Sequence, residues 1–461
     1  MGGLWPRVAV VGAGPAGAFA AACLLRAYPE VEIDLFDRLP TPWGLLRGGV
    51  APDHGEIKQL EETFDRETLG RGCRFLGNVE VGTDVTHSEL MRRFSAVIYA
   101  TGAQADKSLG IPGEELPGSH AATEFVAWYN GHPDYRDVQF DLSVSRAVVI
   151  GNGNVAADVT RMLTLSAREL ERTDIADHAL EALRESRIRE VVVLGRRGPA
   201  QAAFTSAELR DLGRIPGVEL RVPRDEVKLD ELSRGWLAEH ASFTARKNVE
   251  LLHEFARATP RADAGRRIEL RFLRSPVAIC GCDRVEAIEV RRNRIVRTGD
   301  GRLTARPAGE AVERIDCGLV LRSVGYRALP LAEVPFDERS SVLPNERGRV
   351  LTADREALPG VYAVGWIKRG PTGILGTNKR DAVETIGCLV EDLHAGVLRP
   401  AASGDRERLD ELLSKRQPAL VTVDGWRAID AHELERGRAA QRPRVKLASR
   451  EQLLAVARDS G

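Results

Sequence analysis

Long apolar runs are missing from this sequence: none approaches the roughly 20 residues that a membrane-crossing helix needs. Insertion into a bilayer is therefore not expected. The opening MGGLWPR has no apolar core of a secretory signal, because the hydrophobic stretch from Val8 is cut at once by glycine. Its Met-Gly does not continue into an acylation pattern, since Pro6 stands where Ser or Thr is required. A cytoplasmic location is the expectation. A cysteine framework is missing as well, and Cys23, Cys73, Cys280, Cys282, Cys317 and Cys388 are scattered in the manner of reduced thiols. Cys280 and Cys282 form a C-x-C without the second ligand pair of a zinc site, and no C-x2-C-x2-C run could ligate an iron–sulfur cluster. No bound metal is expected. Net charge is nearly absent, at -1, with 66 Lys and Arg against 67 Asp and Glu. That excludes a whole-chain electrostatic footprint for nucleic acid and leaves only local patches to steer a partner.

What is present is a folded composition, 43% hydrophobic and 29% charged, in a chain whose 461 residues suggest two to four domains. VAVVGAGPAG near the start is a short apolar strand running into Gly12-Ala13-Gly14-Pro15-Ala16-Gly17, a complete G-x-G-x-x-G. Gly12 permits the tight turn, Gly14 lets backbone N–H groups reach a diphosphate, and Gly17 lets the following helix lie against the strand. The helix start adds unpaired N–H groups and a partial positive charge. VEIDLFD is the return strand, and Asp37 at its end is placed to bind a ribose hydroxyl. These residues indicate a dinucleotide without saying which. SAVIYATGAQ reads as another strand ending in glycine, after which Pro and Gly in SLGIPGEELPG mark a connection, so a boundary is expected near residue 106.

A near echo follows. SRAVVIGNGNVAADVTRML repeats strand, turn and helix, with Gly151-Asn152-Gly153-Asn154-Val155 and Ala156 at the third glycine position. The return strand EVVVLGRRG comes late, and the intervening residues have helical character. Arg196-Arg197 stand where the first unit has its acid; a carboxylate would repel a 2′-phosphate, whereas two guanidinium groups offer charge and a fork of donors. That pair favours NADPH over NADH, with a solvated surface pair as the alternative. From RIELRFLRSPVAI to RVEAIEVRRNRIV, apolar and charged residues alternate as in strands with one wet face, and RTGDGRL is a hairpin signal. After about residue 405 the chain is charged and helical in character.

Five stretches together carry a resemblance: PTPWGLLRGGVAPDH at 40–54, VVIGNGNVAADV at 148–159, LGRRGPAQAAFTSAELRDL at 194–212, RSVGYR at 322–327 and GWIKRGPTGILGTNK at 365–379. With these the chain resembles, nearly end to end, the adrenodoxin-reductase-like ferredoxin–NADP+ reductases. The resemblance implies an α/β fold of two Rossmann-like dinucleotide-binding domains, a discontinuous FAD domain at 1–106 and 331–461 and an NADP domain inserted at 107–330. It implies FAD and NADPH as cofactors, hydride transfer to flavin N5, and two single-electron steps to a ferredoxin-type iron–sulfur protein. By the same resemblance Gly12, Gly14, Ala16, Gly17, Asp37, Leu45 and Val81 line the adenosine diphosphate part of FAD. Trp366, Gly373, Ile374 and Leu375 lie beside its ribityl chain and ring. For NADPH the equivalents are Lys107, Asn152, Gly153, Asn154, Val155, Arg196, Arg197 and Glu208, with Gly373 near the nicotinamide.

The chemistry places further demands on the residues. Gly370, Gly373 and Gly376 clear side chains from where two rings must meet, and a helix expected to start near Thr377 aims N–H groups at negative charge developing on the flavin. His54, with Asp53 beside it, is the candidate for proton handling; Asp211 is its candidate partner, and a structural histidine is the alternative. The arginines of RRNRIVR at 291–297 and of RADAGRRIELRFLR at 261–274 are candidates for a basic docking face, equally explained as solvated strand faces. A flavin disulfide reductase would need a close redox-active cysteine pair, which is absent. An NADPH diaphorase or quinone reductase, a flavin monooxygenase, and a non-catalytic NADPH/FAD redox sensor remain as rivals. The oligomeric state is left open.

Overall fold

The computed structural model describes residues 6–259, 261, 264–373, 375–400 and 402–459. Contacts divide the chain into two units, one of residues 1–105, 130–134 and 325–461 and the other of residues 106–129 and 135–324.

In the first unit a seven-stranded sheet runs in the order Asn345–Glu346, Arg349–Leu351, Ala357–Ala363, Ala96–Tyr99, Arg7–Val11, Glu32–Asp37, Arg74–Gly77. The last five are parallel, and the first two are antiparallel additions at one edge. All five residues of Arg7–Val11 are buried, as a strand covered on both faces must be. Its alternation sorts the core: Val8 and Val10 pack with Ile33, Leu35 and Ile98 on one face, Ala9 and Val11 with Phe36, Val97 and Tyr99 on the other. Helix Pro15–Ala27 covers the first face with Ala16, Ala18, Ala20 and Ala21, small enough to let its axis lie close to the strands. The long helix Leu375–His394 lies alongside it.

The second unit has a six-stranded, wholly parallel sheet in the order Ser119–Ala121, Leu319–Arg322, Arg146–Ile150, Glu190–Gly195, Arg266–Phe272, Val218–Arg221. The helical character expected between its first two consecutive main strands resolves into Asn154–Thr164, Ala167–Leu170 and Asp177–Arg184. Arg274–Cys280, Ala287–Arg297 and Leu303–Asp316 form a separate antiparallel sheet, closed by the turn in which Thr298 N–H bonds Arg302 O. Among the described residues no helix is long and apolar enough to cross a membrane.

The charged C-terminal section forms the helices Asp405–Arg416, Val423–Ala439 and Arg450–Arg458. Its central acid, Glu433, is fully buried. One carboxylate oxygen accepts from Arg47 Nη2 at 2.6 Å and from Leu447 N–H at 2.8 Å; the other accepts from Arg444 Nη1 at 3.1 Å. Burial alone would push this carboxyl up, yet the Arg47 guanidinium, with Arg444, holds it below the ordinary glutamate range. Removing one partner of such a pair strands the other charges in low dielectric. Glu433→Ala is expected to lower the stability of the protein by about 3–5 kcal/mol, read from the midpoint of denaturant unfolding; a change within 0.5 kcal/mol would show that the two guanidinium groups find other partners.

A titration should also be visible. His132 lies near Gly48, and its Nδ1 accepts from Asp134 N–H at 3.2 Å. Burial lowers its pKa to about 4, with Asp134 pulling upward and Arg38 and Arg450 downward. The unfolded chain then binds the extra proton first, so this contribution is present above pH 6.5 and lost as pH falls toward 4. His132→Gln is expected to flatten the stability profile across that window by on the order of 2 kcal/mol, measured by thermal unfolding at stepped pH.

Candidate functional site

The first turn is built by backbone pressed on backbone. Gly12 has φ +107, and a β-carbon there would stand 2.5 Å from Ala100 O; one on Gly17 would stand 2.0 Å from Gly12 O. Both contacts exclude any side chain. In front of the helix the reverse holds, since a β-carbon on Gly14 would meet nothing nearer than the Gly44 Cα at 3.8 Å. Gly14 is the N-cap of helix Pro15–Ala27 and supplies no capping side chain, which leaves the first N–H groups for an anion. Ala16 is buried just behind them.

Asp37 ends the second strand with both oxygens engaged, one accepting from Ala13 N–H at 2.9 Å and the other from Leu39 N–H at 2.9 Å. Burial raises its carboxyl above the ordinary range against the pull of these N–H groups. Asp37 therefore clamps the turn. Val81 follows a short connection in which Val79 N–H bonds Asp37 O. Leu45 opens the short helix Leu45–Gly48 and is exposed. This segment reaches the turn through Trp43 N–H on Ala13 O at 2.8 Å, and Gly44 comes so close to Gly14 that a β-carbon on it would lie 2.9 Å from the Gly14 Cα. That approach was not legible beforehand; the only local signal is the Trp-Gly pair, with φ +76 and +46.

The glycine loop near residue 370 comes to the same helix. A β-carbon on Gly365 would stand 2.5 Å from the Ala16 Cβ. Trp366 follows and packs tilted against Tyr326, with ring centres 5.2 Å apart. Gly373 has φ +85 and is exposed. Ile374 lies outside the described residues. The helix starts at Leu375, not near Thr377, so Gly376 is helical and does not belong to the loop. His54 occupies the position before the short helix Gly55–Lys58, on the segment that began at Trp43, with its Nε2 3.9 Å from Asp53 Oδ1.

In the second unit, a β-carbon on Gly151 would collide with Ser323 O at 2.1 Å, whereas one on Gly153 would meet nothing within 4 Å. Gly153 is again an N-cap without a capping side chain, ahead of Asn154 and Val155. The Asn152 amide lies over Gly195, at the end of the strand that leads into Arg196-Arg197, and its Nδ2 is buried with no hydrogen-bond acceptor. Neither guanidinium of that arginine pair has a carboxylate partner among the described residues. Burial and then Arg196 lower the Arg197 pKa from its ordinary value, as expected for two cations without a counter-charge. Asn154 Oδ1 accepts from Thr205 N–H at 2.8 Å, which draws in the cap of helix Ser206–Arg214 and with it Glu208. Glu208 pairs with the buried Arg161, which also holds Asp158 at 2.7 Å. Arg161 had no motif to announce it. Asp211 is on the same helix, half-buried, and Lys107 is exposed on the connection at the start of the unit.

The two basic segments separate. Arg266 donates to Thr164 O and Leu165 O, Arg267 pairs with Glu219, Arg271 with Glu226 and Glu313, and Arg274 with Glu226. Those arginines are spoken for by the fold, which removes the 266–274 stretch as a free basic face; Ala262 and Asp263 lie outside the described residues. Arg292 and Arg294 remain exposed, and Arg294 stands directly across from the exposed Arg306 on the next strand.

Both turns thus fit a diphosphate: an open space, bare N–H groups, and in the second unit an orphaned amide beside two uncompensated cations. Residues 6–193 match the family model described as pyridine nucleotide-disulphide oxidoreductase. The chain is 47% identical over 456 residues to the NADPH-ferredoxin reductase FprA of Mycobacterium leprae, covering 98% of each chain. It is 41% identical over 464 residues to the mitochondrial NADPH:adrenodoxin oxidoreductase of Arabidopsis thaliana, covering 98% of this chain and 95% of that one. The solved structure of Mycobacterium tuberculosis FprA in complex with NADPH is similar with a TM-score of 0.92 at 46% identity, over 98% of this chain and 99% of that one.

Proposed function

Because the chain belongs to the family of NADPH-ferredoxin and NADPH:adrenodoxin reductases, we infer that it is an NADPH-dependent FAD oxidoreductase delivering electrons to an iron–sulfur protein. The observation that carries this reading is the difference between two otherwise equivalent turns: one backed by a half-buried acid, Asp37, the other by the uncompensated pair Arg196-Arg197. FAD occupies the first unit, held at Gly12, Gly14, Ala16, Gly17, Leu45 and Val81, with Trp366, Gly373 and Leu375 on the flavin side. NADPH occupies the second, held at Asn152, Gly153, Asn154, Val155, Arg196 and Arg197. When bound, FAD supplies acceptance of a hydride and release of single electrons. The chain's own part is to hold and orient: bare N–H groups take the diphosphates, glycine keeps the ring side clear, and Arg196-Arg197 take the 2′-phosphate. His54, flanked by Asp53, is the candidate for proton handling, with Asp211 as its candidate partner.

The acceptor is a ferredoxin-type protein with an acidic face. Arg292, Arg294 and Arg306 favour that reading, because like charges set directly opposite on a strand pair oppose folding unless a counter-charge arrives from outside. Reduced, unpaired cysteines suit a cytoplasmic location.

Anaerobic addition of NADPH is expected to bleach the yellow of the purified protein, and NADH to do so far less efficiently. Replacement of Arg196 and Arg197 by Gln should raise the KM for NADPH about 10- to 100-fold with little change for NADH; an unchanged preference would dismiss the pair. Ferredoxin reduction should slow as salt rises from about 50 to 300 mM if arginines steer the encounter. Turnover with quinones but not with any ferredoxin would favour a diaphorase, and binding of both nucleotides without bleaching would favour a redox sensor.

A further inference from the structure

We propose that Asp381 is the positioning residue for the flavin side of the FAD site, holding the turn Gly365–Arg369 with one buried carboxylate and setting the charge beside it. The proposal rests on the assignment of FAD to the first unit. Asp381 lies one and a half turns into helix Leu375–His394 and is 9% exposed. It accepts from three donors in five residues: the Gly365 N–H, Lys368 Nζ at 2.7 Å and Arg369 Nη1 at 3.2 Å. Lys368 is itself 8% exposed, and its ammonium also donates to Glu384 Oε2 at 2.7 Å and Thr385 Oγ1 at 3.0 Å. Thr385 in turn donates to Ala363 O on the preceding strand. Arg369 reaches forward to Thr372 O at 3.1 Å and Asn378 Oδ1 at 2.7 Å, spanning the glycine loop.

Geometry gives this cluster its meaning. Gly365, with φ +79, is the residue pressed against Ala16, so whatever fixes its N–H fixes the distance between this turn and the helix that opens on the diphosphate. Trp366 is the next residue, and Gly373 and Leu375 lie in or just after the loop that Arg369 spans. A hydrophobic pair in place of Asp381 and Lys368 could stabilise the fold as well, but it could not accept a backbone N–H from Gly365 and two cations at once. The charges balance locally: Asp381 and Glu384 against Lys368 and Arg369. Loss of the acid leaves a net positive charge, which favours a reduced, more negative flavin; loss of the lysine does the opposite.

Two variants, Asp381→Asn and Lys368→Met, test this with wild type alongside. Apoprotein titrated with FAD should bind at least 10-fold more weakly in both. The midpoint potential of the flavin, measured by dye equilibration, should move positive in Asp381→Asn and negative in Lys368→Met. Wild-type affinity and potential in both variants, or potentials that move in the same direction, would overturn the proposal. Should Asp381→Asn fail to accumulate, Arg369→Gln carries the test: its FAD affinity should fall several-fold and its potential move negative, and no change in either would overturn the proposal. Failure of wild-type apoprotein to bind FAD would instead defeat the assignment of FAD to this unit, so the two failures are told apart.

Discussion

A helix can offer its first N–H groups to a diphosphate only when no atom of its own chain fills the space in front of them, and that constraint organises both units. At Gly14 a β-carbon would meet only the Gly44 Cα, at 3.8 Å, at Gly153 it would meet nothing within 4 Å, and no side chain caps either helix. Immediately behind, at Gly12 and Gly151, the same chain is packed so tightly that a β-carbon would lie 2.5 Å and 2.1 Å from a carbonyl oxygen. One glycine leaves room for an anion and the other lets the turn press against the end of the neighbouring strand. The parallel sheets, buried on both faces, supply the rigid floor on which this is possible.

Around that common device the charges differ. Asp37 is half-buried and bonded to the turn by Ala13 and Leu39, so the first turn is braced from within. Arg196 and Arg197 repel one another with no carboxylate to neutralise them among the described residues, so the second turn is backed by uncompensated positive charge. The first unit is braced further by groups from late in the chain. Glu433 reaches Arg47 beside the Gly44–Gly14 approach, and Asp381 holds the turn that touches Ala16. Both are buried carboxylates gathering several donors, and both bear on the same helix start.

Much of this was legible, and for a local reason. Strand, turn and helix follow within about thirty residues in a dinucleotide-binding unit, so Gly12–Gly17 and Gly151–Ala156 carry their geometry in adjacent residues. The wet-faced strands at 266–297 were legible from alternation, and the C-terminal helices from composition. The arginines of 261–274 fit a docking face or a solvated strand face equally well in sequence, because the partners of those at 267–274, Glu219, Glu226 and Glu313, are distant in the chain. The helix after the glycine loop begins two residues earlier than its glycines suggested, because Gly376 lies on the helix Leu375–His394, whose packing outweighs glycine's poor propensity.

The sequence by itself determined the two dinucleotide turns, the acid behind one and the arginines behind the other, because each is a short-range pattern whose chemistry follows from residue type and spacing. Only the tertiary structure decided which charges are free and which are consumed. An arginine on a strand has the same sequence signature whether it faces water, like Arg294, or a glutamate more than forty residues away, like Arg271. Electrostatic energy depends on distance and burial, and both are set when strands and helices far apart in the chain are brought together.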